Sequence, residues 1–320
     1  QKSPLELPRQ RSMAGPSGRE EGSFLQFLRK FGKVMCPPTR SSIIRKLAFH
    51  PPEPPSYKLV PADGPWFGLK FEIPRKTNCY ILNKDYIREV DAYQIVQYGM
   101  NLAAFVVSDG PIWEESVNTA RPTVLYHHQN AVDIGMLLGY AVHYSRSHNC
   151  NFIAYDYSGY GESSGTPSEK QLLLDAECVL NHMTTKFNIP LKNIVMFGES
   201  IGSVPALYLA TRYPVRGLIL QAALASGLGT VMSVKSNVLG LDAFRNIDRI
   251  SKVLCPVLFI HGVSDEVVPI EQAINMYRIC PTAVSPMWIP DTGHNECDLF
   301  EGYSKRVRDF LEIDTNPDVQ

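Results

Sequence analysis

Three residues, far apart in the chain, are of the types that together perform acyl transfer. Gly198-Glu199-Ser200-Ile201-Gly202 sets a serine between an apolar run, Ile194-Val195-Met196-Phe197, and a helix-like stretch from Val204 to Arg212. This reads as strand, sharp turn and helix, with the serine at the turn. A serine on such an elbow is held in a strained backbone conformation that pushes its hydroxyl clear of the sheet. The flanking glycines answer to the close approach of the strand and helix backbones. The bare G-x-S-x-G pattern arises by chance in roughly one chain in ten of this length, so the context carries the weight. A serine hydroxyl is a poor nucleophile at neutral pH. It needs a histidine to take its proton on attack and return it to the leaving group. It also needs a carboxylate to orient that histidine and stabilise the imidazolium. His294 follows the apolar run Met287-Trp288-Ile289, and Asp265 follows Val257-Leu258-Phe259-Ile260. Glu266, beside Asp265, is the rival acid, and Asp291, three residues before His294, a weaker one.

The negative oxygen of a tetrahedral intermediate needs two backbone N–H groups aimed at it. One is expected from Ile201, just after the serine. The other is expected from the loop His128-Gln129-Asn130, with Asn130 the donor. The remaining histidines read as packing or surface residues. His143, His148 and His182 fall on or beside helical stretches. His127 and His128 are adjacent, so on extended backbone they point to opposite sides and cannot chelate one ion together. Neither paired cysteines nor an H-E-x-x-H pattern is present, so no metal site is expected.

The elements that must position these residues alternate in type. Apolar runs at 122–126, 152–157, 194–197, 217–221, 256–260 and 287–289 read as strands. Stretches at 131–144, 170–186, 204–212 and 298–311 read as helices. Alternation of this kind implies right-handed crossovers and a mostly parallel central sheet with helices on both faces. In such sheets the ligand-binding residues gather just beyond the carboxyl ends of the strands. Serine, acid and histidine each follow a strand, in the chain order of the α/β-hydrolase fold. Phe67–Ile73 and Leu102–Val107 suggest an antiparallel start. The segment Ala225–Gly240 reads either as a cap lining an acyl pocket or as an ordinary helix.

The chain has 320 residues, 44% of them hydrophobic, and a net charge of −1. That suffices for one large core and gives no global attraction to nucleic acid. Seven scattered cysteines without a C-x-x-C pair fit reduced thiols better than a disulfide framework. The organisation expected is a tail over 1–56, a catalytic domain over 57–314 and a short end over 315–320. Within the tail, Phe24, Phe27, Leu28 and Phe31 recur at helical spacing beside Arg29, Lys30 and Lys33. An amphipathic segment over 24–35 of this kind suits a membrane interface or a docked helix. The run Ile43–Phe49 suits further membrane contact or a first element packed on the core.

Further stretches carry a resemblance. They are Asn130-Ala131-Val132-Asp133, Tyr155-Asp156-Tyr157-Ser158-Gly159-Tyr160-Gly161, Ser163-Ser164-Gly165, Ser200-Ile201-Gly202, Asp242-Ala243-Phe244, Asp265-Glu266-Val267 and Gly293-His294-Asn295. Lys46-Leu47-Ala48-Phe49 with Pro51-Pro52-Glu53-Pro54 adds to them. From about Cys36 to Leu311 the chain resembles the α/β-hydrolase-domain-containing seventeen family of membrane-bound protein depalmitoylases. The resemblance implies hydrolysis of palmitoyl thioesters on S-acylated membrane proteins at the cytoplasmic face of membranes. It also implies a triad of Ser200, Asp265 and His294 without a cofactor. The family has glycine where this chain has Gln129. If that position needs a positive φ, glutamine there is strained. The family's N-terminal segment is rich in palmitoylated cysteines, where this chain has only Cys36, the candidate lipidation site.

Overall fold

A computed structural model describes residues 40–61, 69–73, 90–97, 99–108, 121–227 and 242–315. These belong to one compact unit that begins at Arg40. The amphipathic segment 24–35, Cys36 and most of 225–240, read as a cap or an ordinary helix, lie outside the described residues. Residues 40–56, expected to belong to the tail, lie within the compact unit. Arg40–Ala48 forms helix α1. Phe49, next after it, is buried against the ring of Phe244, with centroids 5.8 Å apart. Farther along, the Ser56 amide donates to Asp133 at 2.7 Å and the Tyr57 hydroxyl to Asp156 at 2.5 Å.

Ten described strands form one sheet in the order β1-β2-β3-β4-β6-β5-β7-β8-β9-β10. They are β1 (Lys58–Pro61), β2 (Leu69–Glu72), β3 (Asp91–Gln97), β4 (Met100–Val107), β5 (Thr123–His127), β6 (Asn151–Tyr155), β7 (Ile194–Glu199), β8 (Gly217–Gln221), β9 (Val257–Gly262) and β10 (Met287–Ile289). Pairing is antiparallel from β1 to β4 and between β4 and β6, and parallel from there on. The parallel strands are joined by α2 (Ile134–His148), α3 (Glu169–Lys186), α4 (Ser203–Ala210) and α5 (Ile270–Ile279), and α6 (Tyr303–Asp309) follows β10. Asp133 caps α2 by accepting from the Met136 amide, and Ser168 caps α3 by accepting from that of Gln171. Such caps satisfy the orphan donors of a first turn.

Side chains alternate along each strand between two apolar layers, as a pleat requires. In β7, Ile194 and Met196 join the layer of α3, α4 and α5, while Val195 and Phe197 join that of α2 and α6. Cysteines 178, 255 and 280 are buried in the first layer, and cysteines 150 and 297 in the second. A strand buried on both faces has no polar alternation, which is why these runs read as short continuous apolar stretches. From β5 the chain crosses to β6 on one side, then returns to β7 on the other. The strand order therefore reverses between β5 and β7, the point beyond whose carboxyl ends sheets of this kind bind their ligands.

Candidate active site

Ser200 sits at the end of β7, where the strand order reverses. Its φ is 52°, a left-handed conformation that a non-glycine residue adopts only when its surroundings impose it. The imposition is steric. A Cβ on Gly202 would lie 1.9 Å from the His127 carbonyl oxygen at the end of β5, and one on Gly198 would lie 2.6 Å from the Ser203 Cα. Gly198 thus lets α4 turn back over its own strand, and Gly202 lets the turn lie against the end of β5.

The Ser200 Oγ lies 3.1 Å from His294 Nε2, and His294 Nδ1 lies 2.8 Å from Asp265 Oδ2. With Nδ1–H donating to the carboxylate, Nε2 is left to accept the serine proton. All three residues are more than nine-tenths buried. Asp265 Oδ1 accepts from the Val267 and Val268 amides, each at 2.8 Å. Its Oδ2 meets a second imidazole as well, His261 Nε2 at 3.1 Å. Burial alone would raise the Asp265 carboxyl, but hydrogen bonds from His261, His294 and the Val268 amide outweigh it and hold the group well below the ordinary carboxylate range. His261 Nε2 also faces the Val268 carbonyl oxygen at 2.8 Å. With two acceptors before it, that nitrogen carries the proton. Sequence reasoning passed over His261, although its spacing of four from Asp265 at a strand end was the available signal.

The rival acids stand apart. Glu266 and Asp291 are both exposed, and it is Asp265 that His294 meets. Behind the elbow, Glu199 is buried. Burial raises its carboxyl above the ordinary range, opposed by a hydrogen bond donated by the Tyr126 hydroxyl. The Tyr303 hydroxyl donates in turn to Gln221 at 2.9 Å, so a polar network underlies the turn.

The loop after β5 differs from expectation at one residue. The positive φ falls on Ala131, at 59°, and Gln129 is not among the residues of that conformation. Gln129 therefore carries no strain of the kind expected, and the reason to look for a gain from glycine there disappears. The Asn130 side chain is fully engaged. Its Oδ1 accepts from the His50 amide at 3.0 Å and the Tyr160 hydroxyl at 2.7 Å, and its Nδ2 donates to the Ala48 carbonyl at 2.9 Å. His127 and His128 have different partners. His127 Nδ1 meets the Tyr155 hydroxyl at 2.8 Å, whereas His128 stacks on Tyr157 and its Nδ1 meets the Gln129 carbonyl at 2.8 Å. Burial pushes the His128 imidazole down to about 4, so it stays neutral at physiological pH. His148 is buried, with Nδ1 on the Tyr144 carbonyl, and His182 stacks on Tyr93.

A serine and a histidine beyond parallel strands, with an acid holding the histidine, and helices on both faces of the sheet define an α/β hydrolase. Residues 138–241 match the family described as Serine aminopeptidase, S33. The fold is shared with Est1E of Butyrivibrio proteoclasticus, determined with ferulic acid bound (TM-score 0.55, 18% identity, covering 69% of this chain and 98% of that one). It is shared equally with an esterase of Pyrococcus furiosus (TM-score 0.58, 17% identity, 75% and 95%). Among proteins of closer sequence, alpha/beta hydrolase domain-containing protein 17C of Xenopus laevis is 36% identical over 288 residues, covering 86% of this chain and 91% of that one. The human protein 17B is 34% identical over 280 residues, covering 86% and 93%. The chain belongs to this alpha/beta hydrolase domain-containing 17 family.

Proposed function

We propose that the protein is a serine hydrolase that cleaves palmitoyl thioesters from cysteines of membrane-associated proteins. The observation that carries the catalytic part is the hydrogen-bonded chain Ser200–His294–Asp265 beyond the carboxyl ends of the parallel strands. The substrate class rests on membership of the family. Ser200 Oγ bonds to the thioester carbonyl carbon while its proton passes to His294 Nε2. The Asp265 carboxylate stabilises the imidazolium through Nδ1–H. The carbonyl oxygen becomes an oxyanion held by the backbone N–H groups of Ile201 and Asn130. The C–S bond then breaks, and the cysteine sulfur leaves with the proton from His294. Water attacks the acyl-enzyme, giving its proton to His294, and palmitate is released as Ser200 recovers its own.

Access to such substrates requires a membrane surface. We assign that contact to the 24–35 segment and a palmitoylated Cys36, at the cytoplasmic face, because stable anchoring takes two signals. Among the described residues no helix is long and apolar enough to cross a membrane.

The test is palmitate release from S-palmitoylated membrane proteins by wild type and Ser200→Ala, with fluorophosphonate labelling of both. Wild type is expected to label and release palmitate, and Ser200→Ala to do neither. Labelling with turnover of simple esters alone would replace the reading with a carboxylesterase or lipid hydrolase. A wild type that does not label would make the chain a non-catalytic scaffold that binds acylated proteins.

A further inference from the structure

The Asn130 side chain joins two parts of the chain. On one side is the loop 128–131, which carries the backbone proposed to bind the oxyanion. On the other is the end of α1. Besides its bonds to the His50 amide, the Tyr160 hydroxyl and the Ala48 carbonyl, Asn130 Oδ1 accepts from the Ala131 amide at 3.0 Å. The Tyr160 hydroxyl also lies 3.2 Å from the His50 amide. One amide group therefore closes the carbonyl before Phe49 and the N–H after it. Phe49 itself is buried against Phe244, in the apolar layer that also holds Ile201. The loop is held from the other side too. The Tyr157 hydroxyl donates to the His128 carbonyl at 2.6 Å, and Gly202 abuts the His127 and His128 carbonyls.

We infer that Asn130 acts through its side chain as a positioning residue, and that residues 48–50 are the brace against which it sets the oxyanion loop. This rests on the serine-hydrolase reading above and adds a requirement to it. The segment ending in Phe49 is needed for turnover although it contributes no group to the reacting atoms. An oxyanion donor works only if it is held where the charge develops, since it has no time to reorganise during the reaction. Removing the brace leaves Ser200, His294 and Asp265 in place and lets the loop relax. The loss therefore falls on the chemical step and spares substrate binding. A helix that merely packs on the domain would give a different result. Its loss would lower melting temperature and leave kcat intact.

The experiment measures kcat and KM on a soluble short-chain ester for full-length Phe49→Ala, Asn130→Ala and the double variant, with melting temperatures. Phe49→Ala is the informative change, because it does not touch the loop. Each single variant is expected to lose about ten- to a hundredfold in kcat, the range set by misplacing one donor, with KM little changed. The double variant should be no slower than the slower single one, because both release the same brace. Full kcat in a folded Phe49→Ala would overturn the proposal, as would multiplicative losses in the double variant. Tyr160→Phe removes the hydroxyl between Asn130 and the His50 amide, Asn130→Asp removes the donor to the Ala48 carbonyl, and the two decide the matter if Phe49→Ala does not fold. Both should lower kcat by smaller factors, and unchanged kcat in both would again overturn the proposal. A wild type inert to fluorophosphonate and to esters sinks the hydrolase reading instead, an outcome separate from failure of the brace.

Discussion

Asp265 has both oxygens occupied, Oδ1 by two amides and Oδ2 by two imidazoles. Asp265→Asn would turn an N–H toward two ring nitrogens that each carry a proton, so both histidines would have to change tautomer and His261 would lose Val268 as acceptor. A fall in kcat of about 10⁴ is expected, the size seen when a triad histidine is held in the wrong tautomer, with little loss of folded protein. The same saturation keeps the carboxyl ionised far into acid. The acid limb of log(kcat/KM) against pH should therefore have a slope of one. A slope of two would mean that Asp265 takes up a proton as well. Ser200, Asp265 and His294 were legible in the chain because each follows an apolar strand. His261 was not, since it lies inside a strand and its spacing of four from Asp265 was the one sign of a partner. Gln129 was misjudged because a glycine at one position of a related loop does not say which residue of this loop turns left-handed, and here Ala131 does.

At the scale of elements, the parallel half of the sheet was readable from apolar runs, and the antiparallel start less so. Strand β3 escaped notice because Asp91, Gln94 and Gln97 interrupt it and only Ala92 and Ile95 are buried. Helix α1 was left between membrane and core, because one short amphipathic run suits either. The burial of Phe49 is a tertiary fact. The strand-to-helix turn at Ser200 is the element with least room for change. Gly202→Ala puts a methyl group into the His127 carbonyl, which is backbone and has no flexible end to yield. We expect a loss of at least about 1–3 kcal/mol, as for overpacked cores, and loss of serine labelling in whatever still folds. Urea denaturation followed by intrinsic fluorescence, run beside fluorophosphonate labelling, measures both. Gly202→Ala with wild-type midpoint and labelling would show that the elbow tolerates a wider turn than the structure allows.

Across the whole molecule, the two apolar layers that sandwich the sheet also enclose its sulfur. Five of the seven cysteines are buried in them, and burial pushes the thiols of Cys150, Cys255 and Cys297 up to about 12 and that of Cys178 to about 11. Alkylating reagents attack the thiolate, so these side chains are both out of reach and in the wrong protonation state. The five cysteines among the described residues are thus closed to a maleimide in the native protein, which leaves Cys36 and Cys79, outside the described residues, as the most that could react, and unfolding releases all seven. Mass spectrometry of protein without acyl groups should find at most two adducts per chain before urea and seven after. A third native adduct would mean that a layer opens on the timescale of the reaction. The sandwich thus supplies a chemical silence against which a single acyl group on Cys36 can be counted, as one adduct missing until hydroxylamine restores it.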